Sequence, residues 1–313
     1  MIVERVQDGI STVVHRVRTR GRTWYLRFGE EPGDDLWTDA ELHARLLAAG
    51  VPVPRFVAVT RVPEADRWAA LTSEVPGGPL TDVADAPAVL EAAGRHLRTV
   101  NSSPVEGFGF VLRRGPGWPL RAEFATHEQF VRSYLPAPWP GRLTALFTAE
   151  ELEEFATLVA EQVALDVAPA LVHGDFDVTP VFCLGSRFTG FIDFGEARGA
   201  EPWFDLAHFL LHDGEALPGG LLPHLLRGDG PTVGADALRR SAVLLGLRQL
   251  CRWVGPPRDL PATHPQVRHR VARLRELLAG EGPGTARATG PVRAWDDPGQ
   301  APPGPLPGPP ASV

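Results

Sequence analysis

Apolar and polar positions alternate in the first part of the chain and turn helical in the rest. Val13, His15 and Val17 alternate with their neighbours, Arg20-Gly21 offers a turn, and Trp24, Leu26 and Phe28 alternate again on the return, which predicts a β-hairpin. In TDAELHARLLAAG, Thr38 and Glu41 have the spacing of a capping box and Gly50 sits where a helix end favours glycine, so a helix is expected between strands. Apolar segments at Phe56 to Val59 and Trp68 to Leu71 add two strands, and Pro76-Gly77-Gly78-Pro79 then breaks the pattern. Beyond the break, TAEELEEFATLVAEQV places Leu152, Phe155, Val159 and Val163 on one helical face behind a second capping box, Thr148 with Glu151. One strand-rich island interrupts the helices: Ala170 to Val172, Val181 to Leu184, a Gly185-Ser186 turn, and Phe188 to Ile192. The pattern predicts an α+β chain of two lobes, a small antiparallel sheet with one helix over 1–75 and a mostly helical lobe over 76–281.

Composition changes this picture at the edges. Glycine and proline number 33 and 32, yet 43% of the 313 residues are hydrophobic, so the breakers must concentrate in loops and tails. The 32 residues from Gly282 hold 9 Pro and 6 Gly, and this segment, 282–313, is expected to be disordered and outside the fold. A net charge of −7 argues against nucleic acid or an anionic membrane as the main partner. Glu4 and Arg5 stand where a signal peptide would be apolar and no run of 18 apolar residues follows, so a cytoplasmic protein is expected. Two cysteines, Cys183 and Cys251, are too few for a disulfide framework or a four-cysteine zinc site and read as reduced core thiols. All 31 basic residues are arginine and the only asparagine is Asn101, so any role for lysine falls to arginine.

The island carries LVHGDFDVTPVF (Leu171 to Phe182) and TGFIDFGEARG (Thr189 to Gly199), with EPWFDLA following from Glu201. Phosphoryl transfer needs a carboxylate near the acceptor hydroxyl, cations on the triphosphate and a carboxylate to hold those cations. Aspartates on two strand ends can meet in one cleft for this purpose, although each also suits a turn capped through backbone N–H groups. The order HGD, hairpin, hydrophobic-Asp-Phe-Gly, EPWFDLA resembles the aminoglycoside phosphotransferase and choline kinase group of small-molecule kinases. The resemblance implies a protein-kinase-like fold, ATP or GTP with Mg2+, and a small molecule carrying the acceptor hydroxyl. It makes Asp175 the base, with His173 beside it and Asp205 downstream, and Asp193 the magnesium ligand. It puts Arg27 where the family has a lysine gripping the α and β phosphates, with Glu41 as its ion-pair partner; the residues alone also allow a solvated Arg27 and a Glu41 that only caps. QDGIST, with Gly9 and Ser11, becomes the nucleotide-covering loop, and LTSEVPGGPL the hinge, where the Ser73 carbonyl and the Val75 amide pair with adenine. Acceptor choice falls to the region after Asp205, where Asp213 and Glu215 add negative charge suited to a cationic or polyhydroxylated acceptor.

Two departures stand out against that resemblance. Pro180 occupies the place of an asparagine that binds a second magnesium, leaving Asp177 or the Thr179 hydroxyl as substitutes, or a single ion on Asp193. Arg27 replaces a point charge with a wide planar fork. Both departures suit a nucleotide-binding pseudokinase. A reading from another class uses His208 and His212, four apart on one helix face, as zinc ligands of a hydrolase with His173 or Asp213, although no HExxH glutamate lies between them.

Overall fold

The computed structural model describes residues 1–280 except 7–13, 20, 30–34, 116, 136–137, 231–232 and 257. The proline-rich segment from Gly282 and the loop residues Gly9 and Ser11 therefore lie outside the described residues. The alternating N-terminal segments form one antiparallel sheet of β1 (Ile2–Arg5), β2 (Val14–Thr19), β3 (Arg22–Phe28), β4 (Phe56–Val62) and β5 (Arg67–Ser73), in the order β1-β2-β3-β5-β4. The hairpin register pairs His15 with Leu26 and Val17 with Trp24, so the alternation seen in sequence becomes shared faces.

Between β3 and β4 lies helix α1 (Leu36–Ala48), which begins earlier than its sequence suggests. Its N-cap is Asp35, whose side chain accepts from the Trp37 amide at 2.8 Å, so Thr38 is already helical and no Thr38–Glu41 capping box forms. Aspartate caps at least as well as threonine, and starting at Asp35 also buries Leu36 with Leu42 and Leu46.

The chain leaves the first sheet through β6 (Gly78–Pro79) and enters helix α2 (Ala86–Asn101). Three strands follow, β7 (Val105–Glu106), β8 (Phe108–Val111) and β9 (Leu120–Phe124), and then helices α3 (His127–Tyr134), α4 (Gly141–Thr144) and α5 (Ala149–Val163). The expected capping box of α5 is present, with Thr148 and Glu151 bonded reciprocally, and Phe155 is fully buried, a burial worth about 1.5–3 kcal/mol for such a side chain. The island folds as β10 (Ala170–Val172), β11 (Val181–Leu184), β12 (Arg187–Phe191) and β13 (Arg198–Ala200), and α6 (Phe204–His212), α7 (Leu222–Asp229), α8 (Ala235–Val254) and α9 (Pro265–Leu278) complete the described chain.

The strands of the second lobe divide into two sheets, β10-β13-β8-β9-β7 and β12-β11-β6. In the second of these, β6 pairs with β11 through Pro79–Phe182 and Gly78–Cys183, which ties the segment leaving the first sheet to the island. Gly77 has φ +93° and its backbone lies so close to the Cys183 carbonyl that a Cβ would collide with it, which explains glycine in this break. A continuous core runs from Leu42, Leu46 and Val51 of the first lobe through α2 to α6 and α8. The architecture is a two-lobe α+β fold. Cys183 and Cys251 are both free thiols, and burial raises the Cys251 pKa to about 11. Among the described residues no helix is long and apolar enough to cross a membrane.

Candidate active site

The HGD turn follows β10 directly. Asp205 in the first turn of α6 is wholly buried and accepts from the His173 amide at 2.7 Å and the Gly174 amide at 2.8 Å, so the turn hangs from one carboxylate. Burial raises the Asp205 pKa, opposed by His173, the two amides and Arg198. Gly174 has φ +90°, and a Cβ there would strike the Glu196 carbonyl oxygen, which explains the glycine between His173 and Asp175. Asp175 then stands with 64% of its side-chain surface exposed. The protein mass around its cleft raises its pKa, as do the like charges of Asp177 and Glu196, while His173 and His212 oppose them.

The imidazole of His173 is buried, and its Nε2 donates to the Ile192 carbonyl at 2.8 Å. It therefore binds the turn carrying Asp175 to the residue preceding Asp193. β10 and β12 belong to different sheets, but β10 pairs with β13, Val172 opposite Arg198, so this antiparallel pairing and the His173–Ile192 bond together bring the two aspartates onto neighbouring loops. Asp193 is exposed, in the left-handed region at φ +63°, with no cap bond from its side chain. The following Phe194 is buried between the rings of His43 on α1 and His173, with centroids 5.5 and 4.6 Å away.

The expected Arg27–Glu41 ion pair does not form. Arg27 Nη2 donates to Asp39 Oδ2 at 2.7 Å, with the guanidinium 5.0 Å from the Phe56 ring centroid, while Glu41 pairs with Arg45 at 2.7 Å on the outer face of α1. The helix start explains the exchange: with Leu36, Leu42 and Leu46 turned inward, Asp39 lies on the buried face and Glu41 does not. Asp39 also accepts from Arg113 Nε at 3.1 Å. The sequence signal for Asp39 is an acidic residue inside the apolar stripe of α1, and Arg113 carries none. Asp39→Asn is expected to weaken nucleotide binding about 10-fold or more, whereas Glu41→Gln leaves it within about 2-fold, since an exposed i,i+4 pair contributes little; calorimetric titration with AMP-PNP and magnesium checks both.

Pro180 is buried and its carbonyl accepts from the Ile192 amide at 3.1 Å. Asp177 Oδ1 accepts from the amide and hydroxyl of Thr179 at 2.7 and 2.6 Å, closing an Asx turn that ties up the Thr179 hydroxyl. Downstream, the expected negative field is largely compensated. The Asp213 carboxylate accepts from the amides of Gly220, Leu221 and Leu222, and Glu215 is met by Arg270 at 2.8 Å, His212 at 2.8 Å and His269 at 3.3 Å. These contacts hold Glu215 well below the ordinary carboxylate range against the opposing effect of its burial. His208 and His212 do stack, with centroids 4.5 Å apart, but His208 Nδ1 donates to the Phe176 carbonyl at 3.1 Å and His212 faces Glu215 and Gln249. Among the described residues no three His, Cys, Asp or Glu side chains are grouped to hold a metal ion. Of the two residues expected to meet adenine, Ser73 ends β5 with its amide donating to the Arg55 carbonyl at 2.8 Å, and Val75 is buried beside Gly190.

A family model described as the phosphotransferase enzyme family matches residues 2–244. The chain belongs to the phosphotransferase enzyme family. Among solved structures, aminoglycoside phosphotransferase APH(4)-Ia is 18% identical with a TM-score of 0.70, covering 91% of this phosphotransferase and 94% of that chain. The GDP and kanamycin complex of APH(2")-IIia is 18% identical with a TM-score of 0.64, covering 89% and 93%. Amicoumacin kinase hAmiN, solved with AMP-PNP, Ca2+ and Ami, is 15% identical with a TM-score of 0.59, covering 90% of each chain. These likenesses show that the phosphotransferase has the protein-kinase-like fold. A search of curated proteins found no match.

Proposed function

We propose that this phosphotransferase moves the γ-phosphoryl group of ATP or GTP to a hydroxyl of a small molecule, with Asp175 as the base. The observation that carries this reading is the His173–Ile192 bond, which holds the exposed carboxylates of Asp175 and Asp193 on adjoining loops. Asp175 orients the acceptor hydroxyl and takes its proton, and its raised pKa strengthens it as a base. Arg27, held by Asp39, grips the phosphates, and the Ser73 carbonyl and Val75 amide receive the base of the nucleotide. The exposed Asp193 carboxylate and the remaining oxygen of Asp177 are hard oxygen donors that suit Mg2+, which when bound there neutralises phosphate charge. The acceptor is a polyhydroxylated or aminoglycoside-like compound, a sugar or an amino alcohol; the similar structures with kanamycin and hygromycin B support the first two.

Pro180 favours a second reading, a nucleotide-binding protein without transfer, because neither its side chain nor its bonded carbonyl replaces the asparagine oxygen. Thermal denaturation with ATP and magnesium, followed by an acceptor panel, separates the two. Both readings expect a rise in Tm with nucleotide, and only the first expects turnover. In the active reading Pro180→Asn changes the rate modestly while Asp177→Ala removes most activity; a large gain on Pro180→Asn supports the second reading.

A further inference from the structure

Arg113 lies in the loop after β8, outside every motif described above, and it bonds to both lobes. Its Nε donates to Asp39 Oδ1 at 3.1 Å on α1, and its Nη2 donates to the Gly195 carbonyl at 2.7 Å, two residues past Asp193. The side chain is 22% exposed and Asp39 only 9%, so the bond to Asp39 is partly shielded from water, whereas the bond to Gly195 lies at the exposed surface of the loop. The same loop is fastened elsewhere. Thr38 Oγ1 on α1 donates to the Gly115 carbonyl at 2.9 Å, and the Val111 amide donates to the Ala197 carbonyl at 3.0 Å. The Asp193 loop is thus gripped at Gly195 by a side chain and at Ala197 by a strand whose next residues carry that side chain.

We propose that Arg113 is a positioning residue that couples the phosphate-gripping pair to the magnesium-binding loop. Asp39 shares its two oxygens between Arg27 and Arg113, so Arg27 is oriented by a carboxylate that is itself oriented from the second lobe. The Gly195 bond restrains a loop whose Asp193 occupies a left-handed conformation that a non-glycine residue adopts only when its surroundings impose it. An arginine serves here because its planar fork reaches two acceptors in different directions; a lysine ammonium on a single stem satisfies one of them well. A purely structural arginine would support folding without making nucleotide affinity depend on magnesium through this contact.

The test rests on the kinase-like reading for one arm and stands apart from it in the other. In the nucleotide-free full chain, Arg113→Gln is expected to raise amide hydrogen exchange about 10-fold or more at Phe194 to Glu196, leaving exchange in α8 unchanged. In calorimetric titration with AMP-PNP, Arg113→Gln is expected to lose about 10-fold affinity with magnesium and less than about 2-fold without it, and Arg113→Lys to recover part of the loss. Unchanged exchange at 194–196 in a folded variant overturns the coupling to the loop, and equal losses with and without magnesium reduce Arg113 to a structural role. If Arg113→Gln fails to fold, the same two measurements on Arg113→Lys decide, with wild-type exchange and affinity overturning the proposal. Failure of the wild type to bind AMP-PNP removes the nucleotide reading, while the exchange arm still judges the latch.

Discussion

Asp175→Asn is expected to lower kcat by at least about 10²-fold while the affinity for magnesium and nucleotide changes less than about 3-fold. Asparagine keeps the shape of the side chain and removes its ability to take a proton. The fold should survive, because the structural anchor of this turn is Asp205, which bonds the amides of His173 and Gly174, whereas Asp175 is exposed. The wild type carries a further mark. A base works when deprotonated, so kcat/KM should rise with pH through the Asp175 pKa, and that limb should lie above the ordinary aspartate value of about 3.9 because the cleft and the neighbouring Asp177 raise it. Steady-state kinetics over pH 4–8 reads both effects. A variant with unchanged kcat would leave Asp175 as a loop carboxylate without a role in transfer.

Asp193→Ala is expected to abolish the magnesium dependence of nucleotide binding, with an affinity loss of about 10²-fold or more at saturating magnesium. The side chain makes no cap bond and the residue is exposed, so its removal leaves no buried partner orphaned, and Tm without nucleotide should hold or fall slightly, since alanine tolerates the left-handed conformation less well than aspartate. Calorimetric titration with AMP-PNP over a magnesium series separates this from loss of fold. Retained magnesium-dependent affinity would move the cation to Asp177 and away from Asp193.

The parts of this fold that could be read from sequence are those where one residue's local preference agrees with its tertiary use. The alternation at Trp24, Leu26 and Phe28 became strand register, the Thr148–Glu151 box formed, and HGD and DFG fell on turns beside strands. The Thr38–Glu41 pattern misled because a better cap three residues upstream, together with burial of Leu36, shifted the helix start and exchanged Glu41 for Asp39 at the ion pair. Strands β7 and β8 have no clear signal because VEGFGFV is short and glycine-rich, and the pairing of β8 with β13 joins residues about 90 positions apart. The charges at Asp213 and Glu215 were visible, but their compensation by three amides and by Arg270 was not, since both are tertiary contacts. Arg113 had no local signature because its bonds are to residues 74 and 82 positions away.

Transfer of labelled γ-phosphate from ATP, followed in parallel for the wild type and Asp175→Asn, tests the central claim most directly. The acceptors should span neutral sugars, amino alcohols and aminoglycosides. The wild type is expected to release nucleoside diphosphate in step with a phosphorylated hydroxyl on at least one acceptor, and Asp175→Asn to lose that product while still binding nucleotide. A wild type that binds ATP and magnesium yet labels no acceptor, or an Asp175→Asn variant that labels one equally well, would contradict it.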